Sequence, residues 1–519
     1  MNGAVLRVIA LNELRLRLRR MSTLVVLLTV VALSWLVIAD PASGNTLVAV
    51  NDHRALYTSQ TLAFGSATLA SLLLGMASFY LVRGRVAEEM QSGMGAVIGA
   101  TRAGNGVLAL GRWLGALGYL LALILAYLCA TLALHGLRGE GPLQLLVYLQ
   151  TYALILLPMV CFGASCAVLF DHFGPLVGRT GDVLYFVLWC AQFSVNAAMA
   201  DAQGPQWPAM FDFSGLATSL SALRQHFDTK YLAIGATTFD PALAPVILPA
   251  ELWSTRDWGM RAVTLLLAML PLLPAAWLFH RYSPDRVRAG SARRSRLRAL
   301  GQWLLRPCAW LARPLPALAL KVPGFAGSVL AEAALVLRMS PAAVLVLCAG
   351  CAAALLAESS ALGAVLAGAM ACWGVIVSGI APRDWQQGAD ALTAALPGGA
   401  LRRYLRQWCA TLVLALPAAG VVALRWWLQG MGLRALAAVV GVLALASAAA
   451  LMGGLTRGSR LFLALFLFAL FAALNAVTLA PLDMVGFNGA ATAASIAGWA
   501  LAGALAWGGG LYAASCCNR

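Results

Sequence analysis

Charged residues make up only 11% of this 519-residue chain, and lysine occurs at just two positions, Lys230 and Lys321. A soluble domain carries about a quarter charged residues, so a water-soluble globular fold is excluded. Neither lysine follows a glycine, so the G-x-x-x-x-G-K-[ST] loop that holds nucleotide phosphates through backbone amides and a lysine is missing. Any ATP hydrolysis linked to this chain has to come from another polypeptide. Histidine is scarce as well: His53, His135, His172, His226 and His280 all fall outside the middles of the apolar stretches. Eleven cysteines are present, eight of them inside apolar stretches, and no disulfide framework follows from their spacing. Cys348 and Cys351 lie one helical turn apart with no second pair or histidine nearby, which reads as helix packing and not as a metal site.

What fills the chain is apolar: 61% of residues, with a mean hydropathy of +0.82. A membrane-spanning helix takes roughly 20 apolar residues. Such stretches occur near 23–40, 61–82, 106–134, 144–170, 183–200, 258–280, 341–357, 361–380, 405–425, 434–454, 461–480 and 490–513. They lack the period-two alternation of a barrel strand. The expectation is an all-α polytopic membrane protein with 12 transmembrane helices. Arginine and lysine mark cytoplasmic loops, and they concentrate in the segments that are inside if both termini are cytoplasmic. The net charge of +16 then follows from topology and from attraction to the anionic inner leaflet of the lipid bilayer. Nucleic acid is not expected as a partner. The basic run and apolar stretch at the N-terminus read as an uncleaved first span, because the apolar part is longer than a signal h-region and "LVIADPASG" has no clear cleavage site.

Six and six stretches invite a search for an internal repeat. "NELRLRLRRMS" before the first span resembles "AEAALVLRMS" before the seventh, with Glu13 and Glu332 as matching carboxylates. A second correspondence has a constant offset of 295: Glu89 with Asp384, Gln91 with Gln386, Gly93 with Gly388, and Trp113 with Trp408. Two homologous six-span halves are expected at 1–280 and 326–519, joined by an arginine-rich linker at 281–325. In that linker Leu297, Leu300, Leu304 and Leu311 recur at helical spacing, with Arg298, Arg306 and Arg313 on another face, as in a helix lying on the inner membrane surface. Residues 201–257 form the one sizeable extracytoplasmic segment, whose apolar parts "FSGLATSLSAL" and "YLAIGATTF" are expected to dip back toward the membrane.

"AEEMQSG" at 87–93 and "PRDWQQG" at 382–388 interrupt apolar territory at matching places. On a helix, Met90, Met94, Val97 and Ile98 form one apolar stripe beside Glu88, Glu89 and Gln91. Trp385, Ala389, Leu392 and Leu396 repeat it beside Asp384 and Gln387. One such helix would only fill a turn, but two at one offset suggest a shared docking surface. Here the chain resembles the permeases of the ABC-2-type transporter family, which have six spans per half, an amphipathic surface helix at the N-terminus and a coupling helix between spans two and three. The resemblance rests on "ELRLRLRRMSTLVVLL", "RVAEEMQSGMGAVIGATRAGNGVLALGRWLGA" and "PRDWQQGADALTAALPGGALRRYLRQWCATLVL", and covers most of both halves in plan. It implies that 85–104 and 381–403 insert into grooves on two copies of a separate ATP-binding subunit, which would bind ATP and magnesium. The coupling residues it implies are Glu89, Met90, Gln91, Gly93, Met94, Val97 and Ile98 in the first half, and Asp384, Trp385, Gln386, Gly388 and Leu392 in the second. Pro397, Gly398 and Gly399 look like the family's helix breaker, where the first half has Thr101, Arg102 and Ala103.

The function expected on this reading is a non-enzymatic permease subunit without catalytic, metal or cofactor residues of its own. A charge-free path suits export of an amphipathic or lipid-like substrate. The arginine- and alanine-rich composition fits a bacterial inner membrane. One alternative is an ion-coupled secondary transporter, which also favours paired repeats but usually carries ionisable groups at membrane depth. Another is a membrane-embedded transferase using acids of 201–257 such as Asp212, Asp240 and Glu251.

Overall fold

A computed structural model describes residues 2–38, 40–41, 44–198, 207–227, 232–279, 310, 312–395, 398–475 and 479–516. The chain divides into two compact units, Met1–Ser291 and Ala292–Arg519. The division falls inside the arginine-rich segment 281–325. Most of that segment, including Leu297, Arg298, Leu300, Leu304, Arg306 and Leu311, lies outside the described residues.

The first unit runs α1 (Asn2–Leu18), α2 (Met21–Val37), β1 (Asn45–Val50), β2 (His53–Arg54), α3 (Ser59–Val82), α4 (Arg85–Gln91), α5 (Met94–Ala100), α6 (Asn105–Arg138), α7 (Leu145–His172), α8 (Arg179–Ala198), α9 (Leu216–His226), β3 (Leu232–Thr238), α10 (Thr255–Met269) and α11 (Leu272–Leu278). The second runs α12 (Leu315–Leu320), α13 (Gly324–Met339), α14 (Pro341–Leu356), α15 (Leu362–Val377), α16 (Arg383–Gln386), α17 (Asp390–Ala394), α18 (Gly399–Ala415), α19 (Val421–Leu428), α20 (Gly432–Thr456), α21 (Arg460–Asn475) and α22 (Ala493–Cys516).

Each of the twelve apolar stretches forms helix, yet not each forms a span. Among the described residues seven segments are long and apolar enough to cross a membrane: Ser59–Met90, Asn105–Arg138, Leu145–His172, Thr255–Leu278, Gly399–Leu428, Gly432–Thr456 and Ala493–Cys516. An eighth is added if α13 and α14 count together as one broken span. The chain is thus a multi-pass helical membrane protein, with fewer qualifying spans than the twelve expected. Two of the others fall short in length. Leu362–Val377 and Arg460–Asn475 have 16 residues each, about 24 Å at 1.5 Å per residue, short of the roughly 30 Å hydrocarbon core.

The fold is mostly helical as expected, and the first unit also carries a small three-stranded antiparallel sheet in the order β2-β1-β3. Val50 pairs with His53, so Asn51 and Asp52 alone make the hairpin turn. Both have positive φ, 48° and 65°, as a type I′ turn requires. On the other edge Val50 faces Leu232 and Asn45 faces Thr238. The apolar run "LAIGATT" therefore becomes strand β3. β1 lies so close to α3 that a Cβ on Gly65 would sit 2.6 Å from Leu47 Cγ.

Of the remaining acids in 201–257, Asp212 is fully buried and accepts hydrogen bonds from Thr218 N (2.9 Å), Thr218 Oγ1 (3.0 Å) and Ser214 Oγ (2.8 Å), fastening the start of α9. Asp257 forms a capping box with Ser254 at the start of α10, and Asp240 accepts from Ala242 N. Asp201 and Asp228 lie outside the described residues. Arg261 of α10, also buried, resolves a backbone problem. Pro158 inside α7 has no N–H to offer the carbonyl four residues back, and Arg261 Nε donates to that carbonyl, Leu154 O, at 2.8 Å.

α3 runs from the sheet to the α4 region and is long and apolar enough to cross a membrane, so its two ends are expected on opposite faces. Cysteines placed at the exposed positions Ala242 and Ser92 are expected to react with an impermeant thiol reagent from opposite faces, Ala242 from outside. Labelling of both from one face would show that α3 does not cross.

Candidate functional site

The chain leaves α3 at Arg83 and turns at Gly84, whose φ of 100° is open to glycine and strained for other residues. The turn is held by Asp171 at the end of α7, which accepts from Gly84 N at 2.7 Å and Arg85 N at 2.9 Å. This carboxylate satisfies amides that the first turn of α4 leaves open. Arg83 points inward to Asp171 (3.7 Å) and Asp182, and stacks over Phe79 at 5.0 Å.

On α4 the Glu89 carboxylate is buried. It accepts from Arg112 Nη2 of α6 at 2.6 Å and lies 3.2 Å from Arg85 Nε. Arg85 reaches on to Glu13 of α1 at 2.9 Å, and Glu13 also takes Arg17 at 2.6 Å. His172 Nδ1 lies 3.1 Å from Ala275 O, an acceptor, so Nδ1 carries the proton and Nε2 accepts from Arg112 Nη1 at 2.9 Å. Arg17, Arg83, Arg85 and Arg112 thus face Glu13, Glu89, Asp171 and Asp182, four charges of each sign. Such balance is what makes burying ions tolerable.

The second unit builds the same place from its own residues. Asp384 on α16 is buried, lies 3.3 Å from Arg383 Nη2, and accepts from Gln407 Nε2 of α18 at 3.4 Å. Arg383 and Arg406 pair with Glu332 of α13, Arg406 at 3.1 Å. Glu332 thereby repeats Glu13, and Gln407 stands 295 residues after Arg112.

The single continuous stripes expected from the sequence are broken in both units. α4 and α5 are separated at Ser92 and Gly93, α16 and α17 at Gln387 to Ala389, and the two matched glycines have φ of 74° and 68°. Across each break the outward residues are apolar: Met90, Met94 and Val97 are 44%, 52% and 62% exposed, and Trp385 and Leu392 are 41% and 75% exposed. Ile98 is half-buried, and Gly93, Gln386 and Gly388 are exposed. Gln91 closes α4, while Leu396 and Pro397 lie outside the described residues. Gln386 Nε2 meets Arg457 O at 3.5 Å, and the Arg457 guanidinium stacks over Trp385 at 5.0 Å. Glu89 and Asp384, grouped with the outward residues on sequence grounds, instead point into their units. Of the matched tryptophans, Trp113 is buried and Trp408 donates to Ser447 Oγ at 3.1 Å.

Sequence reasoning overlooked Arg112, Gln407, Asp171 and His172. The first two were findable, since they share the 295 offset and precede Trp113 and Trp408. Asp171 and His172 close an apolar run with no counterpart motif, and only the fold brings them to α4. Comparison with known families, curated proteins and solved structures finds no match for this chain.

Two ion pairs on α4 separate burial from mere contact. Arg112→Ala strands a desolvated Glu89 and is expected to lower stability by about 3–5 kcal/mol. Glu88 pairs with Arg20 in the open, with side chains 39% and 41% exposed, so Glu88→Ala should change stability by no more than about 1 kcal/mol. Unfolding titrations in mixed detergent micelles measure both, and equal losses would show that Glu89 is not shielded from water.

Proposed function

We propose that this chain is the membrane-spanning permease of an ATP-driven transporter of the ABC-2 type, energised by two copies of a separate ATP-binding subunit. The observation that carries the reading is the twice-built patch: an exposed apolar surface on a broken helix, set on a buried ionic base, at one offset in two units. Exposed Met, Val, Leu and Trp side chains beside arginine-rich loops form a surface that a protein partner would cover. The absent phosphate-binding loop supports the assignment of ATP and magnesium to that partner. The acids of 201–257 that cap turns and helices favour the permease over a transferase.

In this reading both termini and both patches are cytoplasmic, in a bacterial inner membrane. Closure of the two ATP-binding subunits draws the patches together and switches the permease between two rigid-body states. The cargo is an amphipathic or lipid-like molecule, moved outward, because the apolar helices offer little to coordinate a hydrated ion.

The purified chain should show no ATPase activity alone and should acquire it only with the partner. Burying a Leu- or Trp-sized side chain contributes about 1.5–3 kcal/mol, so Met94→Asp or Trp385→Asp should each reduce co-purification of the ATP-binding subunit about tenfold or more at normal permease abundance. Undiminished complex and transport in both variants would refute the assignment of these patches, and robust ATP hydrolysis by the isolated chain would refute the permease reading itself.

A further inference from the structure

The two patches share a plan but not a fastening. In the first unit, α4 is tied to α1 through Glu13–Arg85 at 2.9 Å, to the start of α2 through Arg20–Glu88 at 2.9 Å, and to α6 through Glu89–Arg112 at 2.6 Å. It is tied to α7 by the Asp171 cap, and Arg112 is itself held by His172. In the second unit, α16 keeps one strong tie, Arg383 with Glu332 of α13. Toward α18 it has, among the described residues, the neutral amide of Gln407 at 3.4 Å from Asp384, and toward the end of α20 Arg457, through Gln386 at 3.5 Å and the Trp385 ring. The next piece, α17, is tied to α18 directly, where Arg403 Nη1 donates to Thr393 Oγ1 at 3.0 Å and Asp390 O at 3.1 Å. Charge-assisted hydrogen bonds at 2.6–2.9 Å are roughly twice as strong as neutral ones, and a contact near 3.4 Å lies beyond the usual range. The helical pieces differ in the same direction, seven and seven residues against four and five.

We infer that Glu89 with Arg112 and Asp384 with Gln407 are positioning residues that hold α4 and α16 with unequal stiffness, the first as one body with α1, α6 and α7, the second on a compliant mount. Resting on the permease reading, the consequence is an asymmetric stroke. Force at Met90 moves α6 directly, whereas force at Trp385 is partly taken up by motion of α16 before α18 follows. Neither pair touches the partner. Each acts through the apolar residues it aims outward.

The test is amide hydrogen exchange on the full chain in lipid nanodiscs, without any partner. Residues 85–100 should exchange about tenfold or more slowly than 383–395, since local opening reports how firmly each segment is held. Arg112→Gln, which copies the second unit's residue into the first, should remove most of that difference, and Gln407→Arg should slow 383–395. The double variant Glu89→Gln with Arg112→Gln leaves no buried charge unpaired and should still exchange fast at 85–100. A return to wild-type protection there would trace the single variant's effect to a stranded carboxylate and overturn the inference. Equal exchange of the two patches in the wild type, or an unchanged 85–100 in Arg112→Gln, would overturn it too. With the ATP-binding subunit added, Arg112→Gln should keep co-purification while transport per ATP falls several-fold, and full transport would again count against it. A wild-type chain that binds no ATP-binding subunit would overturn the permease reading and leave the exchange result standing.

Discussion

The short bond between Glu89 and Arg112 decides which way α4 faces. An amphipathic helix beside a bundle ordinarily turns its apolar side inward. Here the neighbouring ends of α1, α6 and α7 present Arg17, Arg112, Asp171 and His172, so the interior at that level is ionic. A carboxylate removed from water has to meet a partner, and the imbalance left by an unpaired one exceeds what burial of a methionine returns. Glu89 therefore goes in and Met90, with Met94 and Val97 beyond the glycine break, stays out. In the second unit Asp384 and Arg383 impose the same inversion on Trp385. The outward apolar patch follows from the inward ionic one.

That inversion is what the sequence conceals. Periodicity shows that Met90 and Glu89 occupy different faces of one helix, but it does not show which face meets the protein, since that depends on residues more than 20 positions away in α6 and 80 away in α7. The glycines were visible as matched positions, while their left-handed conformation appears only once the two short helices are seen to meet at an angle the backbone must accommodate. Helical character was legible throughout, because long apolar runs without alternation admit little else in lipid. The length of each helix was less legible, because residues at the ends of apolar runs go to loops and caps, leaving 16-residue helices at Leu362–Val377 and Arg460–Asn475. The strands were missed although Asn51-Asp52 is a hairpin signal. Their partner lies at 232–238, beyond any local window.

Arginines outside the docking region tell a related story. Arg138, Arg425 and Arg434 count against the inside-positive pattern, yet each is engaged with backbone carbonyls. Arg138 donates to Ile38 O at the end of α2 and stacks over Trp35 at 4.3 Å. Arg425 donates to Ala354 O at 2.7 Å and Ala357 O at 2.8 Å at the end of α14. Arg434 donates to Gly486 O at 2.6 Å and stacks over Trp426 at 4.2 Å. Helix C-termini leave carbonyls open and carry partial negative charge, which is where a guanidinium is best placed. Arg138 and Arg425 are thus helix caps, while Arg434 fastens the loop before α22, and a count of loop charge treats all three as topology signals.

Arg138 and Arg425 also occupy equivalent posts. Each stands at the far end of a long helix, α6 or the α18–α19 run, and holds the end of the helix that follows α1 or α13. At the other end, Glu13 reaches α6 through Arg85, Glu89 and Arg112, and Glu332 takes Arg406 of α18 directly. In both units the long helix is thus held at both ends, α6 by α1 and α2, and the α18–α19 run by α13 and α14. Beyond that shared frame the units diverge: the first ends in the sheet and α9, the second in a turn where buried Asp483 accepts from Asn488 N and Ala490 N. The two units therefore share a plan at the ends that carry α4 and α16, with unequal fastening there, and differ in build at their opposite ends.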